Sequence, residues 1–288
     1  MIIKNKKITV NVALANSFDK ELYDPIIAGS VCAVIDTLRA TSTMTAIFGS
    51  GCRRIILSKN KSEAYVLKKI FNKYLLCGEE NGLPPEGFDY GNSPYEFSKL
   101  SLSGKKTIMM TTNGTVSFFR LLRADSIFAL SLLNLSTVLR HMSLIAEKES
   151  KDIFILCSGK KGHIAYDDVY NAGMAVKYLI SSNPDNYILS DSARIVLEIV
   201  RNNTDIAGAL GNSCSGRAVK DIGQDIDIDF CSEIDRYSNV QILRVIDLLV
   251  NPDKETEEKY SDILKEKNRL KDNCFEKLLV MEEYRESK

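Results

Sequence analysis

Asp36, Arg39 and the hydroxyls of Thr41, Ser42 and Thr43 crowd into one short stretch, DTLRATST, set between the apolar run VCAVI and the helix-like MTAIFGSG. If a helix begins near Ser42 or Thr43, its free N–H groups and the positive end of its dipole face this loop and make an anion seat. Arg39 adds a planar fork of donors suited to phosphate, sulfonate or carboxylate oxygens. Asp36, at the strand end, could hold a hard cation opposite them. The same residues also admit a plain capping cluster in which Arg39 pairs with Asp36.

Two further polar loops repeat the device. In TTNGT, residues 111–115, Asn113-Gly114 tolerates left-handed backbone, so that N–H groups can converge as a nest beside the hydroxyls of Thr111, Thr112 and Thr115. An ordinary turn is the alternative. In the other, Gly159-Lys160-Lys161-Gly162-His163 precedes Asp167-Asp168, acids that suit the first turn of a helix in any case. Mg²⁺ takes a carboxylate or two together with substrate phosphate oxygens and water, a set that Asp36, Glu79 and Asp168 supply if their loops converge. Glu79-Glu80 also reads as a solvated acidic turn, and Asp225-Ile226-Asp227-Ile228-Asp229 alternates as a half-exposed strand would, a cation site being the alternative.

Several chemistries lack their parts. Asp36 is followed two positions on by Leu38, not by a second aspartate, and Cys157 has His163 where a C-x5-R phosphatase needs arginine. Two histidines in the chain do not make a histidine-rich dinuclear metal centre. Neither a Walker A sequence nor a G-x-G-x-x-G after a strand occurs. A carboxylate and Mg²⁺ site remains.

The elements that position these loops share one grammar: a short apolar run, a loop of small polar residues, then helical spacing. It appears in SVCAVI-DTLRATS-TMTAIFGSG, in KTIMM-TTNGT-VSFFRLLRA and in DIFILC-SGKKGHIAY-DDVYNAGMAVKYLI. Unbroken apolar strands alternating with helices predict a layered α/β/α fold with a largely parallel or mixed sheet. Ligands of such sheets bind beyond the carboxyl ends of the strands, where all three loops fall. ARIVLEIVRN reads as a helix, and CGEENGLPPEGFDYGNSPYEF as a long ordered loop.

The chain divides by composition into an α/β domain over 1–250 and a charged C-terminal extension over 251–288. In the extension Tyr260, Ile263, Leu264, Cys274, Phe275, Leu278 and Leu279 fall near one helical face. That face packs on its own domain or serves a partner or dimer contact, so a homo-oligomer is one expected arrangement. With 38 basic and 38 acidic residues no global field draws the chain to nucleic acid or to an anionic membrane. No leader or membrane-spanning pattern is evident, which predicts a cytoplasmic protein. Seven scattered cysteines without a C-x-x-C pair argue against a disulfide framework or a zinc knuckle.

Taken together, VIDTLRATST, GEENG followed by GFDYGNSP, TTNGT, and CSGKKG followed by DDVYNAG resemble the 2-phosphosulfolactate phosphatase (ComB-like) family, in order, over roughly residues 31–240. The resemblance implies a layered α/β fold and a Mg²⁺-dependent phosphatase that converts 2-phospho-3-sulfolactate to 3-sulfolactate and phosphate, a step towards coenzyme M. By position, Asp36, Arg39, Thr41, Ser42 and Thr43 match the first loop, and Glu79 the Gly-Glu element. Gly91, Asn92, Ser93 and Pro94 match a Gly-Asn-Ser-Pro loop, Thr112, Asn113, Gly114 and Thr115 the Asn-Gly-Thr loop, and Asp168 the last acid. The expected roles are Asp36, Glu79 and Asp168 for metal, Asp36, Arg39 and Asp168 for catalysis, and the loop residues with Lys160, Lys161 and Arg217 for the small anionic phosphate ester. Glu80 stands where the family pattern has arginine. That keeps open a different organophosphate substrate, and hydroxyl-rich loops also serve non-catalytic anion binding.

Overall fold

The computed structural model describes residues 7–284. The first six residues, part of the basic start inspected above for a leader, lie outside them, as do the last four of the C-terminal segment. Ten strands form one sheet: β1 (Ile8–Ala13), β2 (Ser30–Ile35), β3 (Arg54–Ser58), β4 (Leu75–Gly78), β5 (Thr107–Met110), β6 (Ser126–Leu130), β7 (Asp152–Cys157), β8 (Tyr187–Leu189), β9 (Gln241–Asp247) and β10 (Lys277–Glu283). Their order is β4-β5-β3-β10-β9-β6-β2-β7-β1-β8. Two parallel blocks, β4-β5-β3 and β6-β2-β7-β1-β8, are joined through antiparallel β10 and β9. The fold is of the layered α/β class, with a mixed sheet.

Period-two alternation sorts the apolar side chains onto two faces. On β2, Val31, Ala33 and Ile35 join an outer core under helices that include Leu135–Glu149 and Tyr166–Ser182. Cys32 and Val34 join an inner core that continues across both blocks through Ile55, Leu57, Met109, Leu243 and Leu279. The inner core encloses the helix Ala40–Gly49, in which every residue from Ala40 to Phe48 is buried.

In a flat sheet β5 and β2, five positions apart, would be separated by about 24 Å at the usual strand spacing. Their pairing senses would also put their carboxyl ends at opposite edges. Yet Thr112 and Asn113, after β5, line the same pocket as Asp36, after β2. The sheet therefore twists and curls around the helix Ala40–Gly49, which carries the two sets of carboxyl ends to one place.

The C-terminal segment departs from its expected helix. Short helices at Lys254–Lys259, Ser261–Leu264 and Lys267–Asp272 give way to β10, which sits between β3 and β9 in the interior of the sheet. Leu278, Leu279, Val280 and Met281 are all buried, so this run is a strand covered on both faces; adjacent leucines had merely coincided with a helical face. Asp225–Asp229 departs too: it belongs to a short helix, Ile226–Cys231. The helix predicted from ARIVLEIVRN forms as Asp191–Asn202. All seven cysteines are free, and no helix among the described residues is long and apolar enough to cross a membrane.

Candidate active site

β2 ends at Ile35 and delivers Asp36 to the start of the buried helix. That helix begins at Ala40, and the anion seated at its N-terminus is the protein's own carboxylate. Asp36 Oδ1 accepts the Ala40 N–H at 3.0 Å, and Thr41 Oγ1 and the Thr41 N–H both bond the Asp36 carbonyl at 3.0 Å. The N–H groups of Ala40 and Thr41 at the expected anion seat are thereby taken. Ser42 Oγ donates to the Thr37 carbonyl and Thr43 Oγ1 to that of Asn92, so these hydroxyls brace the floor and do not line the pocket.

Four carboxylates gather in a pocket of about 290 Å³: Asp36, Glu79, Asp167 and Asp168. Asp168 Oδ1 accepts the Thr37 N–H at 2.8 Å and Oδ2 the Gly159 N–H at 2.9 Å, which ties the loop after β2 to the loop after β7. Glu79 does the same for the other block, taking the Thr112 N–H on Oε1 and the Gly82 N–H on Oε2, each at 2.7 Å. Asp167 is different. Its Oδ1 is buried without a hydrogen-bond partner.

Burial dominates the electrostatics of this cluster. It pushes the Asp36 carboxyl up to about 7, with the charges of Asp167 and Glu79 adding to the rise and the Ala40 N–H and Arg39 opposing it. Burial likewise lifts Asp167 to about 6 against hydrogen bonds that include those of Ser213 and Ser215. Asp168 is raised well above the ordinary range by burial and by Asp167 and Asp36 beside it. Three acids strained against ionisation in this way form a strong attractor for a cation.

Cations face them. Arg39, Lys160 and Lys161 line the same pocket. Arg39 does not pair with Asp36. Its Nη1 meets Asp227 Oδ2 at 2.8 Å and also Gln224, and its Nη2 donates to the Gly82 carbonyl at 2.8 Å. Lys160 Nζ donates to the Cys214 carbonyl at 3.0 Å, and the Lys161 N–H to Asn113 Oδ1 at 3.0 Å.

A sequence profile for 2-phosphosulpholactate phosphatase matches residues 19–245, most of the chain and all the loops just described. This chain belongs to the 2-phosphosulpholactate phosphatase family. The family is one of phosphoric monoester hydrolases. A Pseudothermotoga lettingae protein named "Probable 2-phosphosulfolactate phosphatase" is 35% identical over 223 residues, 77% of this chain and 92% of that one. Proteins of the same name from Deinococcus radiodurans and Thermotoga petrophila are 34% and 36% identical. They cover 71% and 73% of this chain, and 83% and 87% of their own lengths.

Of the residues expected at the site of this phosphatase-family protein, Asp36, Arg39, Glu79, Asn92, Thr112, Asn113, Lys160, Lys161 and Asp168 line one pocket. Others stand behind it. Ser93 donates to Asp227 at 2.6 Å, and Thr115 closes a local ring with Thr111. Arg217 bonds the Asn212 carbonyl and Cys214 Sγ, away from the pocket wall. The Asn113-Gly114 nest does not form, since neither residue has positive φ. Gly114 serves instead as a point of close approach to Asp36 and Ala40. Glu80, the departure from the family pattern, pairs with Lys61 at 2.6 Å on the surface and adds no charge to the pocket.

Sequence reasoning did not place Asp167 in the site, because an acid in a first helical turn already has a sufficient local explanation. Asp227 was not tied to Arg39 for a different reason, since the alternation over Asp225–Asp229 mimics a strand, and no pattern in the sequence singles out Gln224. No set of three or more His, Cys, Asp or Glu side chains among the described residues is arranged to hold a metal ion. The donor chemistry nonetheless fits Mg²⁺, which needs only one or two carboxylates in an all-oxygen site. Both oxygens of Asp168 and of Glu79 are engaged by backbone N–H groups, whereas Asp167, which lines the same pocket, keeps a buried oxygen without a hydrogen-bond partner.

Proposed function

We propose that this protein is a Mg²⁺-dependent phosphatase that hydrolyses 2-phospho-3-sulfolactate to 3-sulfolactate and phosphate, in the branch of metabolism leading to coenzyme M. The observation that carries the reading is one pocket in which three buried carboxylates, Asp36, Asp167 and Asp168, and the half-buried Glu79 face Arg39, Lys160 and Lys161. An ester with phosphate, sulfonate and carboxylate groups carries about four negative charges at neutral pH. Brought alone against those acids it would be repelled, so a divalent cation between them is the arrangement that makes the pocket competent. The family membership and the names of the relatives point the same way. A substrate this charged does not cross a bilayer unaided, which favours a cytoplasmic reaction.

Asp36 and Asp167, with Asp168 and Glu79 around them, would hold the ion. When bound, Mg²⁺ supplies charge neutralisation at the phosphoryl oxygens. The rest is the work of this chain. Arg39 offers the N–H groups not already engaged to a phosphoryl oxygen, stabilising the charge that builds as the P–O bond to the sulfolactate oxygen breaks. Lys160 and Lys161 orient the ester through its remaining anionic groups, and Asn92 presents an unpartnered buried Oδ1 at the wall. Water adds to phosphorus and its protons are shared between the released phosphate and the sulfolactate hydroxyl.

Phosphate release from 2-phosphosulfolactate by the purified protein tests the reading. Turnover is expected with Mg²⁺ and not after chelation. Asp36→Asn is expected to lower kcat about 100-fold or more while the protein stays folded. Full activity in chelator would remove the metal. Equal turnover of esters lacking the sulfonate would move the substrate to another small organophosphate.

A further inference from the structure

An arginine side chain is long and rotatable, and holding its planar fork at one angle in a pocket wall costs conformational entropy unless other groups take up its donors. Arg39 meets that cost through the helix Ile226–Cys231, which lies behind the pocket. Asp227 is fully buried, its Oδ2 is 2.8 Å from Arg39 Nη1, and the two side chains are 0% and 3% exposed. Its other oxygen is clamped as well: Oδ1 accepts Ser93 Oγ at 2.6 Å and the Tyr95 N–H at 3.3 Å. Ser93 in turn caps the short helix Pro94–Ser98 and follows Asn92 of the pocket wall. One carboxylate thus joins the guanidinium of the arginine after β2 to the loop 91–94, beside the Thr43 hydroxyl that donates to the Asn92 carbonyl.

Resting on the phosphatase reading above, we infer that Asp227 is a positioning residue, which aims the Arg39 guanidinium at the phosphoryl group and locks it to the Asn92 wall. It touches no part of the pocket itself. Its charge matters in a specific direction. Asparagine at 227 keeps an oxygen for Ser93 and Tyr95 but turns an N–H₂ towards Arg39, donor against donor, so only the arginine arm is broken. Gln224, the second acceptor on Nη1, supports the same orientation from the turn before the helix.

The test is a double-mutant cycle on kcat/KM among wild type, Asp227→Asn, Arg39→Ala and the pair. Two measurements accompany it: the Mg²⁺-induced thermal shift, and the affinity for inorganic phosphate with Mg²⁺ by calorimetry. Asp227→Asn is expected to lower kcat/KM and phosphate affinity about tenfold or more and to leave the Mg²⁺ shift as in wild type. In the Arg39→Ala background it should cost almost nothing further. Gln224→Ala, which disturbs no buried ion pair, should show the same pattern at smaller size, and it carries the test if Asp227→Asn does not fold. Wild-type kcat/KM in both variants, or an equal loss with and without Arg39, overturns the inference. A wild type that binds phosphate yet turns over no ester removes the phosphatase reading alone, since the linkage to Arg39 is still read in the phosphate affinity.

Discussion

Asp36 and Gly114 meet across the floor of the pocket, so closely that a Cβ built on Gly114 would stand 2.6 Å from Asp36 Oδ2 and 2.3 Å from the Ala40 Cβ. This contact joins the parallel block of β5 to that of β2 and keeps the loop after β5 against the acid cluster. Gly114→Ala must move Asp36, the buried helix or the loop. Overpacking of this kind costs about 1–3 kcal/mol. Chemical denaturation should show that loss, and phosphate release should fall about tenfold or more. Unchanged stability and activity would mean that the two blocks are not held at this point.

Mg²⁺ should stabilise the folded chain through Asp36 and Asp167. At one hundred times the dissociation constant a single site contributes about 2.7 kcal/mol. In a chain of this size that corresponds to a rise of roughly 4–5 °C in melting temperature. Differential scanning fluorimetry with and without the ion should show the rise in wild type and not in Asp36→Asn or Asp167→Asn. A shift that persists in both variants would place the ion elsewhere.

Glu80→Gln should leave phosphatase kinetics within about twofold of wild type, because an exposed ion pair contributes little and this one points away from the pocket. Kinetics with 2-phosphosulfolactate decide the matter. A large change in KM would make residue 80 part of substrate recognition.

At the edge where β3 starts and β10 ends, Asp262 meets Arg54 at 2.9 Å and also Lys106, while Glu282 meets Lys259 at 2.8 Å and Arg244 at 3.0 Å. Burial pushes both carboxyls up. For Asp262, Lys106, Tyr74 and Arg54 outweigh it and hold the group below its ordinary 3.8. For Glu282, Lys259, Tyr260 and Arg244 do the same against 4.5. Depressed folded-state values contribute stability that is present above those ordinary values and is lost as pH falls through the folded ones. Urea midpoints should therefore drop below about pH 4.5 in wild type. Asp262→Asn, by removing one group, should lower stability by about 1–2 kcal/mol near neutrality and flatten that acid limb. An acid limb as steep as in wild type would locate the titration in other groups.

Much of the pocket wall was legible because its signals are local. VCAVI, TIMM and DIFILC are continuous apolar runs that only a doubly covered strand buries well, and each ends in polar residues, so Asp36, Thr112, Asn113 and Lys160 had to emerge just past strand ends, with Asp168 in the first turn of the helix that follows β7. Where the hydroxyls of Thr41, Ser42, Thr43 and Thr115 go was not legible: all four donate to backbone carbonyls. A hydroxyl at a helix start bonds backbone as readily as a ligand, and the sequence does not say which partner is nearer.

The sequence by itself determined the strand–loop–helix grammar, the family and the identity of the acids and cations available for chemistry. Tertiary structure alone decided that β10 enters the middle of the sheet and that the sheet curls about the helix Ala40–Gly49. It likewise decided that Arg39 turns from Asp36 to Asp227, across 188 residues of chain. Such pairings depend on which surfaces meet once apolar area is buried, and contacts between distant segments leave no period or spacing in the chain for a reader to find.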